Sequence, residues 1–228
     1  KRIIVPHKDG TSTTIVQTGC YCRNLGELKV AFDKNGVVQA NNSKYRLCPI
    51  VESLKSDKDV DQYVALKIKP LLHLREEVVD FPSKVQRSDS AIGDLICDAL
   101  HDYGRDYGVD ITFHNRGGIR GELFKGPVTA ETIEQILPFN NYAVFCEVPG
   151  SVIERTLEHS LGGAIGGKFL DVHGLKVAYD YSKPEGKKVI FVLVKDKKGN
   201  WTRLDKNKWY KVSINSYNFA GGEGYDFK

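Results

Sequence analysis

The sequence has no methionine among its 228 residues, so it reads as part of a longer protein or as a processed form. Its first residues, Lys-Arg-Ile-Ile-Val-Pro-His-Lys, carry no apolar h-region and no cleavage site, so no secretory leader is visible. No apolar run approaches the ~20 residues that a membrane-crossing helix needs, and no membrane span is expected here. Histidines 7, 73, 101, 114, 159 and 173 stand singly, without His-x-His, Asp-x-His or His-Glu-x-x-His spacing. Metal ions need convergent ligands, so a self-contained metal site is not expected. No Gly-x-Ser-x-Gly occurs, and Cys97 falls inside an apolar helical pattern where burial would keep it a thiol. The five cysteines include Cys20-x-Cys22, a spacing too tight for a zinc knuckle, and their odd number leaves the redox compartment open. Lys and Arg exceed Asp and Glu by only 33 to 29, a net +4. The lysines clustered over 183–211 alternate with Asp and turn residues, as on a solvated hairpin. A nucleic-acid groove wants a denser basic stripe with interleaved aromatics, so polymeric nucleic acid is not expected as a partner.

A hydrophobic content of 41% with 27% charged residues is that of an ordinary globular chain, and the length allows one large or two small domains. Residues 1–40 hold strand-like runs, Thr14–Gln17 and Leu25–Phe32, then an Asp33–Gly36 turn that returns through Val37-Val38. Residues 41–56 are poorly patterned and read as a linker. Val60, Tyr63, Val64, Ile68, Leu71 and Leu72 fall on a helical stripe that Pro70 would kink or end. Beyond Val78, Ser88-Asp89-Ser90 offers N-caps for a helix carrying Ile92, Leu95, Ile96, Ala99, Leu100 and Tyr103. A strand over 109–113 follows. Thr129 caps a short helix that Pro138 stops, and Tyr142–Val148 reads as a strand. Ser151-x-x-Glu154 is a capping box for a third helix. The remainder is β, over Leu175–Tyr179, Val189–Val194 and Tyr210–Ile214. Helices and strands mix without regular βαβ alternation, so the fold class is α+β.

Three loops hold the residues suited to chemistry. The first, His114-Asn115-Arg116-Gly117-Gly118-Ile119-Arg120, sets an amide and two guanidinium forks around a tight turn. Leu137-Pro138-Phe139-Asn140-Asn141 presents an aromatic beside two amides. The third, Asn215–Tyr225, brackets Glu223 with Gly221, Gly222 and Gly224 and carries Tyr217. A flat base wants aromatic faces, worth ~1–3 kcal/mol each. Its edge wants amides, a ribose diol wants a carboxylate, and phosphate wants arginine. Each residue alone has a plainer use: Phe139 as a core plug, Tyr217 as a strand-end anchor, Glu223 in a solvated turn.

Taken together, Ile92-Gly93-Asp94-Leu95-Ile96-Cys97-Asp98-Ala99, Asn115-Arg116-Gly117-Gly118-Ile119-Arg120, Leu137-Pro138-Phe139 and Gly221-Gly222-Glu223-Gly224-Tyr225 resemble motifs of the 5′-nucleotidase family, in its order and approximate spacing. That family includes ecto-5′-nucleotidases, UDP-sugar hydrolases and apyrases. The resemblance implies a nucleotide-binding C-terminal domain over 78–228, a mixed sheet with packed helices. It also implies the tail of a metallophosphoesterase domain, a β-hairpin remnant, over 1–40, and a linker with an interdomain helix over 41–77. By position it places Phe139 and Tyr217 around the base, Asn115 and Asn141 at base or ribose, and Glu223 on the ribose hydroxyls. Arg120 would hold phosphate, with Arg87, one residue off the family alignment, as a second basic contact. Glycines 117, 118, 221, 222 and 224 would shape the loops. The family usually has Gly at 116, Asp at 223 and often Phe at 217. Two divalent metal ions such as zinc, and the catalytic residues, belong to the family's N-terminal domain. The resemblance thus implies a chain that binds nucleotide or nucleoside, partners its own catalytic domain, needs no cofactor itself, hydrolyses nothing alone and works outside the cytoplasm. An apyrase, a UDP-sugar hydrolase or a non-catalytic nucleotide-binding module fits the same motifs.

Overall fold

The computed structural model describes residues 2–19, 22–86, 90–163 and 166–227. They divide into two units, Lys1–Pro70 and Leu71–Lys228.

In the first unit, β1 (Arg2–Pro6) and β2 (Ser12–Val16) form one antiparallel pair and β3 (Asn24–Lys29) and β4 (Lys44–Pro49) another. The register of the second pair sets Gly26 against Leu47 and Leu28 against Tyr45. β4 lies in the stretch whose composition reads as a linker. Its Lys-Tyr-Arg-Leu-Cys-Pro run has little strand signal of its own, and cross-strand pairing with β3 supplies the order. Helix α1 (Lys58–Ile68) starts on Asp57, whose carboxylate accepts the N–H groups of Asp59 and Val60 at 3.0 and 3.2 Å. It ends before Pro70, and a 3-10 turn over Lys69–Arg75 continues the chain. The stripe of α1 is real but uncovered: Val60 and Tyr63 are exposed, as are Ile3, Ile15 and Leu25 in the strands and Phe32 beyond β3. Ala40 is the sole buried hydrophobic residue among the described residues of this unit.

The second unit runs β5 (Glu77–Phe81), α2 (Ser90–Tyr103), β6 (Ile111–Asn115), β7 (Gly126–Thr129), α3 (Ala130–Ile136), β8 (Ala143–Pro149), α4 (Gly150–Leu161), β9 (Leu170–His173), β10 (Leu175–Tyr179), β11 (Val189–Lys195), β12 (Trp201–Arg203), β13 (Trp209–Asn215) and α5 (Ser216–Phe219). Its central sheet has the order β8-β13-β6-β9, with β6 and β13 parallel and the outer pairs antiparallel. A three-stranded sheet, β10-β11-β12, and the pair β5-β7 complete it. Every residue of β6 is buried, the polar Thr112, His114 and Asn115 as well as Ile111 and Phe113, as expected of a strand covered on both faces. Ile111 and Phe113 join Val212 and Ile214 of β13, Ile153 and Leu157 of α4, and Val192 and Val194 of β11 in the main core. Full burial of each such side chain stabilises by roughly 1.5–3 kcal/mol. A second cluster, Ile92, Ile119, Leu123, Val128 and Ile136, packs α2 and α3 around the loop after β6.

Thr129 caps α3 as expected, accepting from the Thr132 N–H at 3.2 Å. The capping box at Ser151 does not form. Instead α4 begins at Gly150, and the N–H groups of Gly150 and Ser151 donate to the carbonyls of Lys208 and Lys206 at 2.9 and 3.0 Å. Glu154 pairs with Lys206 at 2.5 Å. A Cβ at Gly150 would collide with the Asp205 carbonyl. The glycine lets the 205–208 loop approach and do the capping that a side chain does elsewhere. Ser88 and Asp89, the cap candidates for α2, lie outside the described residues.

Candidate functional site

β6 and β13 lie side by side and parallel, and both end in asparagine. Loops that leave the carboxyl ends of parallel neighbours frame a crevice where ligands bind in sheets of this kind. Here the two amides lock the crevice wall. Asn215 Nδ2 donates to Oδ1 of Asn115 at 2.9 Å and to Oδ1 of Asn218 at 2.8 Å, while Asn215 Oδ1 accepts the Asn218 N–H at 2.9 Å. Asn115 Nδ2 donates to the Gly167 carbonyl at 3.2 Å. Asn115 is 2% exposed, so it braces the turn from within. Its amide has one more donor hydrogen than Gly167 takes. Asn215 and Asn218 fall inside the third loop but carried no assigned role in sequence. Asn215 has the same signal as Asn115, a polar residue closing a strand, whereas Asn218 lies within α5.

The glycines allow three loops to meet. A Cβ at Gly117 would sit 2.9 Å from the Gly167 carbonyl, and one at Gly167 would sit 3.2 Å from a carboxylate oxygen of Glu223. The Gly117 N–H donates to that same Gly167 carbonyl at 2.7 Å. Glu223 is exposed, with φ +56, and its carbonyl accepts from His159 Nε2 at 2.8 Å. Tyr225 is buried edge-on against His159, its hydroxyl donates to the Lys168 carbonyl, and burial pushes its phenol well up.

Two aromatics stand half open on these loops. Phe139 is 47% exposed and Tyr217 48%, too open for core residues of their size. Arg120 is exposed and its guanidinium carbon lies 5.1 Å from the Phe139 ring centroid. The Arg120 N–H donates to the Ile136 carbonyl at 2.7 Å, tying it to the end of α3. The Phe139 loop is joined to the helix that carries Tyr217 through Ser216. Its hydroxyl donates to Asn141 Oδ1 at 3.1 Å, and its N–H to the Tyr142 carbonyl at 2.9 Å. Gly222 leaves room for Tyr217, since a Cβ there would sit 2.5 Å from the ring. A cavity of about 330 Å³ reaches from Phe139 and Asn141 past Leu137 to His114 and Gly118, within the size range of small-ligand pockets. Arg87 lies outside the described residues.

Arg116 is not a solvated arginine. Its Nε and Nη2 donate to Asp171 at 2.9–3.2 Å, and the guanidinium carbon lies 4.5 Å from the Phe169 ring centroid. Burial pushes the Asp171 carboxyl up and the arginine pulls it back. A Cβ at Gly93 would collide with the Asp171 carboxylate, so the glycine of the Ile92-Gly93-Asp94 motif makes room for this pair. Asp171 is an isolated acid in an apolar run and gave no signal in sequence.

His114 is 6% exposed, and its Nδ1 has no hydrogen-bond partner. Burial pushes its pKa down to about 4. The unfolded chain's histidine titrates near ~6.5. Between those values the unfolded state takes up a proton that the folded state refuses, so stability falls as pH drops from 6.5 to 4. The loss amounts to about 3 kcal/mol. Urea midpoints of wild type and His114→Gln measured across that window should diverge, the variant being flatter; parallel curves would count against a neutral buried imidazole. Among the described residues no three His, Cys, Asp or Glu side chains gather so as to hold a metal ion.

The sequence matches the family model of the 5′-nucleotidase C-terminal domain over residues 72–228. It is 27% identical over 224 residues to the trifunctional nucleotide phosphoesterase protein of Bacillus subtilis, covering 93% of this chain and 15% of that protein. It is 28% identical over 243 residues to the 5′-nucleotidase of Bos taurus, covering 97% of this chain and 42% of the relative. Among solved structures, the 5′-nucleotidase precursor of Thermus thermophilus superposes with a TM-score of 0.79 at 28% identity, over 98% of this chain and 46% of that one. The chain thus spans less than half the length of each of these relatives. With the family match over more than half of its residues and the fold to go with it, the chain belongs to the 5′-nucleotidase family as its C-terminal domain.

Proposed function

We propose that the second unit is the nucleotide-recognition domain of a 5′-nucleotidase-type phosphohydrolase. The observation that carries this is that two half-exposed aromatics, Phe139 and Tyr217, stand on loops pinned together through Ser216. Rings held open at such a cost in exposed apolar area suit a flat base between them. Asn141 takes the base or ribose edge, Asn115 supplies its remaining amide hydrogen, and Glu223 accepts from the ribose hydroxyls. Its extra methylene relative to aspartate lengthens that reach. Arg120, beside Phe139, meets the phosphate, with Arg87 as a second basic contact.

The uncovered apolar side chains of Ile3, Ile15 and Leu25 suit strands that belong to a larger body, since isolated two-stranded pairs are marginal in water. Residues 1–40 would be the tail of a metallophosphoesterase domain and 41–77 the linker. That domain would supply two divalent metal ions, of a kind such as zinc, to activate water and cleave a nucleoside 5′-monophosphate. Venom and other 5′-nucleotidases among the relatives favour work outside the cytoplasm.

An NMR titration of this chain with AMP tests the reading. Amides of Asn115, Gly118 and Gly222–Tyr225 should shift saturably at millimolar ligand, with no phosphate released even when zinc is added. Silence at those amides would remove the site. Phosphate release by the chain alone would overturn the division of labour.

A further inference from the structure

The lysines over 183–211 and the histidines of α2 and β9 play no part in the crevice. Several of them meet at the opposite end of β6. There a cavity of about 440 Å³ is lined by His101, His173, Lys195, Lys197 and Lys198, together with the backbone of Gly174 and Gly199. It opens beside Val109 and Asp110, which precede β6, whereas the crevice opens beyond Asn115. The two are separated by roughly 16 Å of extended strand.

The wall is built rather than incidental. Gly174 has φ +79, and a Cβ there would collide with the Asp110 carbonyl, so the β9–β10 junction is pressed against the start of β6. The Lys195 N–H donates to the Gly174 carbonyl at 3.0 Å. The turn beyond is stapled by Asp196. Its Oδ1 accepts the N–H groups of Lys198 and Asn200, both at 2.8 Å, and its Oδ2 accepts Asn200 Nδ2 at 3.3 Å. The imidazoles of His101 and His173 stack at 4.0 Å between centroids.

Positive charge is in slight excess within this wall. Both lining acids are committed to backbone donors: Asp196 as just described, and Asp110 through the Lys211 N–H at 3.0 Å. Asp98, beside the cavity, accepts from His173 Nδ1 at 2.6 Å. Lys195, Lys197 and Lys198 make no ion pair among the described residues. The lining thus sets three lysines, none of them in an ion pair among the described residues, against the carboxylates of Asp110 and Asp196, an excess of one positive charge, and ammonium donors of this kind are point charges suited to oxyanions.

We infer that this recess is a second ligand site, which takes a phosphate or sulfate group on Lys195, Lys197 and Lys198 over the imidazole floor. The volume exceeds what a bare oxyanion fills and lies in the range of small-molecule pockets, so an organic carrier such as a sugar phosphate fits the space as well as the charge.

The test uses the chain as it is, at constant ionic strength because exposed charges are screened by salt. Sodium sulfate, inorganic phosphate and glucose 6-phosphate are titrated separately while the amides of Gly174 and Gly199 are followed by NMR. Saturable shifts are expected at millimolar ligand. They should weaken at least tenfold in Lys195→Gln/Lys197→Gln/Lys198→Gln, whose changes lie at the exposed end of β11 and on the turn after it and leave the core untouched. Phe139→Ala/Tyr217→Ala should leave them unchanged, which separates this site from the crevice whatever the crevice binds. Equal affinity for all three probes assigns the site to the free oxyanion; tenfold tighter glucose 6-phosphate assigns it to a phosphorylated carrier. The site is overturned if none of the probes gives a saturable shift, or if the shifts survive the triple lysine variant.

Discussion

Replacing Phe139 and Tyr217 together with alanine is expected to abolish the saturable response to AMP while leaving the melting temperature of the chain nearly unchanged. Both halves of that expectation come from the same numbers. At 47% and 48% exposure the rings bury too little to hold the fold, so their truncation removes little packing. A base between them, however, gains ~1–3 kcal/mol from each face, or roughly 5- to 150-fold in affinity per ring. Each single variant should therefore weaken binding by that factor, and Tyr217→Phe should keep most of it, since the face and not the hydroxyl does the stacking. A large fall in melting temperature would mean that the rings are structural plugs. An unchanged titration in the double variant would mean that the base, if bound, lies elsewhere.

Arg116→Leu should act in the opposite way, costing stability first. Its partner Asp171 has a side chain only 4% exposed, while Arg116 itself is 27% exposed. Removing the arginine strands a carboxylate among Leu170, Val172 and the α2 backbone, and breaking such a pair typically costs 3–5 kcal/mol. Discounted for the partial exposure of Arg116, about 3 kcal/mol remains, or roughly 6–12 °C for a unit of this size. The direction with pH follows. Burial already pushes the Asp171 carboxyl up, and without Arg116 it rises further. The penalty is then largest where the carboxylate is charged and shrinks as pH falls through the raised value. Arg116→Leu/Asp171→Leu should recover most of the loss, because no charge is left behind. Urea denaturation at pH 7 and pH 5 measures all of this; a variant as stable as wild type at both would show that the pair contributes nothing.

What could be read from the residues alone was what depends on local pattern. The buried strand after Gly108, the Thr129 cap and the helix break before Pro70 are each written in a few adjacent residues. The four motifs pointed to the family because their glycines answer to close backbone approaches, as between Gly117 and Gly167. The unreadable parts depend on partners distant in sequence. The ion pair of Arg116 gave no local sign because Asp171 is 55 residues away. The start of α4 looked capped by Ser151 because nothing local announces that the 205–208 loop supplies the carbonyls. β4 looked like linker because its order comes from β3. The inward-facing amide of Asn115 was hidden for the same reason, its partners being Gly167 and Asn215.

Glu223 sits at φ +56, a left-handed conformation that L-residues other than glycine, asparagine and aspartate rarely hold, at about 1 kcal/mol or more. Glycine would relax the backbone at that point, and asparagine would tolerate it, but both would delete the acidic group that faces Gly167. Selection for thermal stability alone would therefore erode this position. A library of the protein screened only by heat would be enriched in chains whose loop is quieter and whose crevice has lost its carboxylate.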